Sequence, residues 1–442
     1  MQHKGYQRET VLQNSGISSL NEMQLKTIEA VKENENLILL SETGSGKTLA
    51  FLLPILETID PDLKQIQALI MVPSRELAIQ IESVLKKMQT GIKVTACYGG
   101  HKREIEENNL VQPPAILIGT AGRMADHIRR KNVILDHTRF LVLDEFDKIL
   151  ELGFQEEMAF ILASLPTGIK KMFTSATVAE SLPDFVQMED AQTLNFLSGE
   201  TKNPDVLRVY TVQSPEMDKL KCLFQLLCAL KDTSTVVFCN HRDAVERTSH
   251  FLTNEGIVNV FYHGGMEQQE RETALCKFRN GSSAVLITTD LASRGLDVPN
   301  IRGIIHYHLP LTEDAFTHRN GRTARMDATG NVYLIIGAEE RIPDYVTDSA
   351  KPFELPENFE LPDKPKWSTL FIASGKKDKI NKIDIVGFLS NKGKLKKDEI
   401  GLIEVKDFTS FVAIRKSKIG SALELIKDEK IKNKKVKMAI AK

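Results

Sequence analysis

The sequence has 442 residues, of which 42% are apolar and 26% charged, so it can form several globular domains and is unlike a disordered chain. No apolar stretch approaches the roughly 18 residues that cross a bilayer, and the first residues are polar, so we expect neither a membrane span nor a secretory signal. The five cysteines contain no C-x-x-C pair, which excludes a disulfide scaffold and a four-cysteine zinc site and indicates a cytoplasmic protein.

Short apolar runs alternate with segments of helical periodicity across residues 1–200. The segment 75–89, for example, has apolar residues at near-helical spacing. Continuous apolar runs are typical of strands buried on both faces, as in a parallel sheet covered by helices. We therefore predict a first α/β domain over residues 1–200, with strands at 36–40, 68–72, 94–98, 115–118 and 140–143.

The same pattern returns after a polar segment with Gly and Pro at 199–205, which predicts an interdomain linker. A second α/β domain is predicted over residues 208–345, with strands at 235–239, 259–262, 284–287 and 302–307. Five prolines among acidic residues between Ile342 and Pro365 predict a second linker, which we place at 346–367.

The C-terminal segment 368–442 has its own pattern and an unusual charge. From Lys364 to Lys442 there are 21 Lys and Arg residues against 9 Asp and Glu, a net charge of +12, while the rest of the chain carries −13. Such a segment is typical of a surface that binds a polyanion, most simply nucleic acid, although a solubilising lysine-rich surface is the alternative. The predicted order βαββαβ is the ferredoxin-like arrangement of RRM-type modules, with strands at 369–372, 400–405, 410–414 and 436–439 and helices at 381–389 and 419–426.

A glycine-containing loop lies between the first predicted strand and a helical segment. Its residues are Thr43, Gly44, Ser45, Gly46, Lys47 and Thr48. Glycines let such a loop fold tightly with its N–H groups towards phosphate oxygens, and the start of the helix adds its dipole. Lys47 can reach the β- and γ-phosphates and the Thr48 hydroxyl can bind Mg²⁺. The loop therefore predicts an ATP site, although Ser41 stands where the usual motif has its first glycine.

Two adjacent carboxylates follow the predicted strand 140–143. A phosphate loop needs a carboxylate for Mg²⁺ at the end of a neighbouring strand, and Asp144 can bind the metal there, partly through water. Glu145 is then the candidate to orient or deprotonate the attacking water. An isolated acidic cluster would more often be a solvated cap, but its combination with the phosphate loop favours catalysis.

Nine motifs stand in the order found in one enzyme family, and residues 16–325 resemble a DEAD-box RNA helicase of superfamily 2. The motifs are TGSGKT (43–48), PSREL (73–77), GG (99–100), TAGR (120–123), DEFD (144–147), SAT (175–177), VVFCN (236–240), TDLASRGLD (289–297) and HRNGRTAR (318–325). Residues 368–442 resemble the RNA-binding domain of DbpA-type bacterial helicases. The resemblance implies two tandem RecA-like parallel-sheet domains followed by a small α+β RRM-like domain.

The resemblance also implies roles for individual residues at the ATP site. Gln24 would bind adenine, while Gly295 and Asp297 of the second domain would meet the phosphates and ribose. Arg322 and Arg325 would act as arginine fingers, since guanidinium is always charged and binds phosphate bidentately. Residues that couple the ATP and RNA sites would be Asp147, Ser175, Thr177 and His318.

RNA contacts in this family go to the phosphodiester backbone, which positions a strand without reading its sequence. The corresponding residues are Pro73, Ser74, Arg75, Gly99, Gly100, Thr120, Gly122, Arg123, Arg271 and Thr289. In the basic segment, Phe371 and Phe411 are candidates to stack on bases, but phenylalanine on a strand is more often core. The lysines of that segment are better candidates for phosphate contacts.

Two positions depart from the family pattern. The adenine-reading motif, usually Pro-Thr-x-Ile-Gln, is Leu20-Asn21-Glu22-Met23-Gln24 here, so base discrimination is expected to be weaker. Phe146 replaces the alanine of the DEAD motif and must find space in the core behind the metal site.

The sequence thus predicts an ATP-dependent RNA helicase with ATP and Mg²⁺ as cofactors and structured RNA as partner. The tail resemblance points to ribosomal RNA during ribosome assembly as the target. One alternative is an ATP-gated RNA clamp or chaperone without productive unwinding. Another is a DNA helicase or other P-loop ATPase, which the PSREL, SAT and HRNGRTAR motifs disfavour.

Overall fold

The structure is a computed structural model that describes residues 7–42, 44–100, 103–177, 183–186, 188, 190–197, 207–290, 301–323, 330–346 and 350–441. The described residues up to 197 form one compact unit and those from 207 form another. The predicted linker 199–205 and the predicted site residues Thr43, Gly295, Asp297 and Arg325 lie outside the described residues.

The first unit is built on a parallel sheet whose described strands follow the order β3-β4-β2-β5-β6-β1-β7. The strands are β1 Asn36–Ser41, β2 Ala68–Val72, β3 Val94–Cys97, β4 Ile116–Thr120, β5 Phe140–Leu143, β6 Lys170–Ser175 and β7 Gln192–Phe196. The helices are α1 Arg8–Asn14, α2 Glu22–Glu33, α3 Lys47–Thr58, α4 Arg75–Met88, α5 Arg103–Leu110, α6 Ala121–Arg129, α7 Phe146–Glu151 and α8 Gln155–Ala163. Two apolar clusters contain alternate residues of the central strands, so helices cover both faces of the sheet.

The second unit begins with another parallel sheet, whose described strands follow the order β10-β11-β9-β12-β13-β8-β14. These strands are β8 Leu207–Gln213, β9 Thr235–Phe238, β10 Asn259–Tyr262, β11 Val285–Thr288, β12 Gly303–His306, β13 Gly330–Ile336 and β14 Lys351–Pro352. The helices that accompany them are α9 Leu220–Leu230, α10 Arg242–Asn254, α11 Gln268–Arg279 and α12 Glu313–Asn320. The predicted doubly wound fold is confirmed for both sheets.

The C-terminal part of the second unit is the predicted βαββαβ module. Its antiparallel sheet has the order β16-β17-β15-β18. The elements are β15 Trp367–Ile372, α13 Lys382–Asn391, β16 Ile400–Val405, β17 Ser410–Arg415, α14 Ile419–Ile426 and β18 Met438–Ile440. One face of the sheet, including Leu370, Val412 and Ile414, packs against the apolar sides of α13 and α14.

The other face of this small sheet packs against the second parallel-sheet domain. Thr369 and Phe411 point away from α13 and α14, yet both are buried, because α11 lies on β15 and β17. Asn280, just after α11, donates from Nδ2 to Thr369 Oγ1 at 2.9 Å, and Thr369 donates to Ser282 Oγ at 2.8 Å. The C-terminal module is therefore attached through the sheet face that an isolated RRM-type module leaves open.

The segment predicted as the second linker lies on the second domain. Its strand β14 pairs with β8, and Phe353 and Leu355 then pack against the apolar core below. Phe359 contacts Phe224 edge to face, with ring centroids 5.5 Å apart. These contacts hold residues 350–366 along the domain. Among the described residues, no helix has the length and apolar character that a bilayer crossing requires.

Candidate nucleotide and RNA site

The carboxyl edge of the first sheet carries most of the predicted site residues. In a parallel sheet all strands end at the same edge, and loops there can meet a common ligand. The phosphate loop follows β1, the SAT motif overlaps the end of β6, and the two acidic residues follow β5. The motifs predicted to contact RNA follow β2, β3 and β4. Because β5 is paired with β2, the two sets of loops are immediate neighbours along this edge.

The phosphate loop has the backbone geometry that its glycines predict. Gly44 and Gly46 have φ angles of 84° and 96°, in the left-handed region that a residue with a Cβ adopts only with strain. Lys47 begins α3 and is buried, and its Nζ donates to the backbone oxygens of Ser41 and, at 3.3 Å, Glu42. The ammonium group therefore lies across the loop whose N–H groups would surround a phosphate.

Gln24 contacts the phosphate loop directly. Its Nε2 donates to the Gly46 carbonyl at 3.2 Å, and its Oε1 accepts from the Asn21 N–H at 3.0 Å in a capping box at the start of α2. Asn21 Nδ2 also donates to the Ser45 carbonyl at 3.0 Å. Gln24, which the degenerate adenine motif retains, and Asn21, which replaces its threonine, thus both hold the loop.

Asp144 and Glu145 lie at the end of β5, and both are buried. Thr174 of β6 donates from Oγ1 to Asp144 Oδ1, and the same hydroxyl accepts from the Glu145 N–H at 3.3 Å. Burial, reinforced by the Glu145 carboxylate, raises the pKa of Asp144 to about 6, although Thr174 and Lys47 oppose the rise. Glu145 has a φ of 52°, a strained conformation for a residue with a side chain, and such strain is common at functional sites.

The SAT motif lies beside the last acidic residue of DEFD. Thr177 Oγ1 donates to Asp147 Oδ2 at 3.3 Å, and Ser175 Oγ accepts from the Thr177 N–H at 3.0 Å. Phe146 points the other way, into the core, where its ring centroid lies 5.5 Å from that of Phe173. The bulky substitution is therefore accommodated behind the acidic residues.

The PSREL and GG motifs are in contact. Pro73 and Ser74 are buried, and Ser74 caps α4 by accepting from the Leu77 N–H at 3.3 Å. Gly99 and Gly100 are exposed, and Gly100 has a φ of 97°. A Cβ built on Gly100 would lie 2.1 Å from Arg75 Nη1, so a side chain at this position would displace the guanidinium from the loop.

The TAGR motif forms the start of α6. Thr120 ends β4, Gly122 lies in the first turn, and both are half-buried. Arg123 Nη1 donates to Glu106 Oε2 at 3.0 Å. The predicted phosphate contact is thus held by a carboxylate that sequence analysis did not identify.

In the second domain, Arg319 is 1% exposed and joins the ends of three strands. Its Nη2 donates to Asp290 Oδ2 at 2.7 Å and to Asn240 Oδ1 at 2.8 Å, and its Nη1 donates to the His308 carbonyl at 2.7 Å. Burial and the nearby arginine lower the pKa of His306 to about 3, so this imidazole is neutral. Arg319 is therefore a core residue of the HRNGRTAR motif.

The other predicted residues of the second domain occupy different environments. Arg322 is buried just past the end of α12, whereas His318 is half-buried on that helix. Thr289 follows β11 and is buried. Arg271 is also buried, with its guanidinium 4.8 Å from the Tyr262 ring centroid and its Nη2 donating to the Tyr262 hydroxyl at 2.7 Å. Arg271 is thus held against Tyr262 of its own domain.

The C-terminal module does not offer Phe411 to RNA, because its side chain is 1% exposed beneath α11. The interpretation of this residue as core is correct. Several lysines remain at the surface, and some of them pair with carboxylates, for example Lys418 with Glu399, Lys434 with Asp378 and Lys435 with Asp428. Lys394, Lys396, Lys397 and Lys416 are exposed.

Three residues of the site were not singled out from the sequence. Thr174 carried a weak signal, since it is a polar residue at the end of an apolar strand. Arg319 could not be separated from the neighbouring arginines, because burial is not visible in a run of charged residues. Glu106 lies among other glutamates in a polar helix, so no pattern marked it.

Three family sequence patterns match the chain, and each falls in a different one of its three sheet-containing domains. The DEAD/DEAH box helicase pattern matches residues 21–185, the helicase conserved C-terminal domain pattern matches 218–327, and the DbpA RNA binding domain pattern matches 369–440.

Two relatives are similar over nearly the whole chain, and a third over three quarters of it. The ATP-dependent RNA helicase DbpA of Bacillus subtilis is 30% identical, covering 97% of this chain and 96% of that protein. The DbpA of Escherichia coli is also 30% identical, covering 98% of this chain and 97% of that protein. The Escherichia coli helicase DeaD is 33% identical over 75% of this chain, which corresponds to 53% of DeaD.

Solved structures share the fold. Dbp5 of S. cerevisiae bound to RNA and ADP BeF3 matches with a TM-score of 0.63 and 27% identity, covering 74% of this chain and 90% of that one. Mss116p bound to ssRNA and AMP-PNP matches with a TM-score of 0.69 and 23% identity, covering 80% of this chain and 78% of that one, which is a likeness of fold.

Proposed function

Because the chain belongs to the DEAD-box family of ATP-dependent RNA helicases, and within it to the DbpA type, we propose that it uses ATP hydrolysis to unwind short segments of structured RNA held by its C-terminal module. The observation that carries this proposal is the single sheet edge on which the phosphate loop and acidic residues lie beside PSREL, GG and TAGR.

At the ATP site, the loop 44–48 and Lys47 bind the phosphates, and Gln24 supports the loop and binds adenine. Mg²⁺ fits the residues present, because Asp144 is a buried carboxylate whose charged form a cation would favour, and Thr48 offers a hydroxyl in the first turn of α3. When bound, the metal would neutralise phosphate charge. Glu145 orients and deprotonates the attacking water, for which its position beside Asp144 is suited.

RNA phosphates bind at the neighbouring half of the edge. The first turns of α4 and α6 present backbone N–H groups, and Arg75 and Arg123 add guanidinium groups. Thr177 and Asp147 are hydrogen-bonded to each other where the ATP half of the edge meets the RNA half, which suits a role in coupling the two sites. In the second domain, we propose that ATP is bound by Arg322, Arg325, Gly295 and Asp297, and RNA by Thr289 and Arg271.

The C-terminal module selects the RNA through its exposed lysines, since α11 covers one face of its sheet. We place this activity in the cytoplasm during ribosome assembly, with ribosomal RNA as the target. The net charge of the module and the match to the DbpA RNA binding domain support this choice.

The test is the ATPase rate of the full chain with a panel of RNAs that includes a ribosomal hairpin, beside a DNA hairpin of the same sequence. Stimulation by RNA, strongest with the ribosomal hairpin, is expected. Glu145→Gln should retain ATP binding and abolish turnover. Equal stimulation by DNA would contradict the proposal, and a strand-displacement assay that shows ATP-dependent binding without duplex release would establish the clamp instead.

A further inference from the structure

Glu106 is a buried carboxylate of α5 that contacts two other elements of the first unit. It is 1% exposed. Its Oε1 accepts from the Tyr98 N–H at 2.7 Å. Its Oε2 accepts from Arg123 Nη1 at 3.0 Å and faces His127 Nε2 at 2.7 Å. Both carboxylate oxygens are therefore engaged.

The hydrogen bonds around Glu106 are mutually consistent. A carboxylate accepts hydrogen bonds only, so a neutral His127 must carry its proton on Nε2. The other ring nitrogen, Nδ1, then accepts from Asn132 Nδ2 at 3.2 Å. The contact with Arg123 is charge-assisted, a class of hydrogen bond about twice as strong as a neutral one. The network fixes the carboxylate, and the carboxylate fixes the groups bonded to it.

The groups that Glu106 fixes belong to two loops proposed to bind RNA. Tyr98 immediately precedes the Gly99–Gly100 loop at the end of β3. Arg123 lies in the first turn of α6, and His127 follows one turn later on the same helix. One side chain thus sets the end of β3 and the first turn of α6 relative to each other.

The same cluster includes Cys97, and thiolate, carboxylate and imidazole are common metal ligands. The candidate ligand atoms of Cys97, Glu106 and His127 lie within 4.8 Å of one another. The carboxylate, however, is paired with the Arg123 guanidinium, whose charge opposes a cation at this place. Burial also raises the pKa of the Cys97 thiol, which disfavours the thiolate that a metal needs. The cluster is a hydrogen-bonded support.

We propose that Glu106 is a positioning residue for RNA binding, which holds the Arg123 guanidinium and the Gly99–Gly100 loop in the arrangement that grips phosphates. The inference rests on the proposed function, because it assumes that Arg123 contacts RNA. Electrostatics alone predict the opposite effect, since a carboxylate near a polyanion repels it and its removal should tighten binding. The sign of the change therefore distinguishes positioning from simple charge.

The experiment compares Glu106→Gln with wild type in the full chain. The RNA concentration for half-maximal ATPase should rise about threefold to tenfold, while kcat at saturating RNA and mant-ADP affinity stay within about twofold. The slope of log affinity against log salt should become shallower by about one, as expected when a single phosphate is no longer bound. Glu106→Asp keeps the charge but retracts the carboxylate, and should give a smaller loss of the same kind. It takes the place of Glu106→Gln as the test if Glu106→Gln folds poorly.

Two further variants separate the possible failures. Glu104→Gln removes an exposed carboxylate from the same helix and should leave RNA activation unchanged or stronger. Arg123→Ala should weaken RNA activation, and adding Glu106→Gln to it should change little, because Glu106 acts through Arg123. If Arg123→Ala has no effect, the proposed RNA surface is wrong and the inference falls with it. If Arg123→Ala weakens activation but both Glu106 variants match wild type, only the positioning role is overturned.

Discussion

Arg279 Nη1 lies 2.7 Å from Glu404 Oε2, and this ion pair joins the last residue of α11 to strand β16 of the C-terminal module. The pair stands beside the Asn280–Thr369–Ser282 hydrogen bonds, so the junction is polar as well as packed. Burial acts to raise the pKa of Glu404, but Arg279 and Lys406 outweigh it and hold that pKa below its usual range. Because the folded-state pKa is depressed, this stabilisation is present above about pH 4.5 and is lost as the pH falls.

We expect Glu404→Gln to loosen the module at neutral pH. Trp367 reports on the junction, since it is the single tryptophan of the chain and its ring lies beside Gly281. At pH 7, the Trp367 fluorescence spectrum of Glu404→Gln should differ from that of wild type. It should resemble the spectrum that wild type shows near pH 4. Glu424→Gln, at an exposed ion pair with Lys427, is the control and should leave the spectrum unchanged. Identical spectra for both variants and wild type at pH 7 would refute the role of the pair.

Asp144→Asn should stabilise the protein in the absence of nucleotide and metal. The folded-state pKa of Asp144 is raised to about 6, so its contribution to stability is present at acidic pH and is lost as the pH rises through that value. At pH 7.5 the neutral Asn should therefore increase the free energy of unfolding by about 1–3 kcal/mol, and at pH 5 the gain should be smaller. Urea denaturation at the two pH values measures the difference.

The control for Asp144→Asn is Asp136→Asn, at an exposed carboxylate of the same unit, which should change stability little at either pH. A gain of equal size at both pH values would show that ionisation of Asp144 is not its cause. Asp144→Asn should lose ATPase activity. The Asp144 carboxylate is therefore needed for catalysis although its charge lowers the stability of the fold.

Phe146→Ala restores the alanine of the DEAD motif, yet we expect it to destabilise the first unit. The ring is buried against Phe173, and removing it leaves a cavity behind the acidic residues. Loss of a buried phenylalanine ring costs about 3–5 kcal/mol. Hydrogen exchange of peptides from β5 and β6 should accelerate accordingly, with a smaller effect for Phe146→Leu. Unchanged exchange in Phe146→Ala would mean that neighbouring side chains fill the space.

Replacing Lys394, Lys396 and Lys397 together by alanine should weaken RNA binding and flatten its salt dependence. All three are exposed on the C-terminal module. For every lysine that binds a phosphate, its removal should reduce the slope of log affinity against log salt by about one. Lys427→Ala, at a lysine paired with Glu424, is the control. An unchanged slope in the triple variant would move the RNA-binding surface to other lysines of the module, such as Lys416.

The sequence predicted the three sheets and the loops at their ends because each signal was local. Buried parallel strands are continuous apolar runs, and phosphate loops have a fixed glycine spacing. Strands β8 and β13 of the second sheet were not predicted, although β13 contains an apolar run. The edge strands β7 and β14 were missed because β7 is largely polar and β14 is only two residues long. The attachment of the C-terminal module was also not predictable, since it depends on residues more than 80 positions apart, such as Asn280 and Thr369.

Side-chain roles within a motif were harder to predict than the motif itself. The sequence alone does not distinguish the roles of Arg319, Arg322 and Arg325. In the structure, Arg319 donates hydrogen bonds to Asp290 and Asn240 of its own domain. Arg123 matched the family pattern, whereas the carboxylate that orients it comes from a helix without any recognisable motif. Such dependence on partners distant in sequence is a property of the folded chain.

The pairing of β5 with β2 has a mechanical consequence. Adjacent strands lie about 4.8 Å apart, so the acidic residues and the PSREL loop are separated by a single strand spacing. If the end of β5 shifts when phosphate is released, the PSREL loop would be displaced directly, because it lies one strand away. Coupling between ATP hydrolysis and RNA binding would then require neither a lever arm nor a series of intermediate side chains.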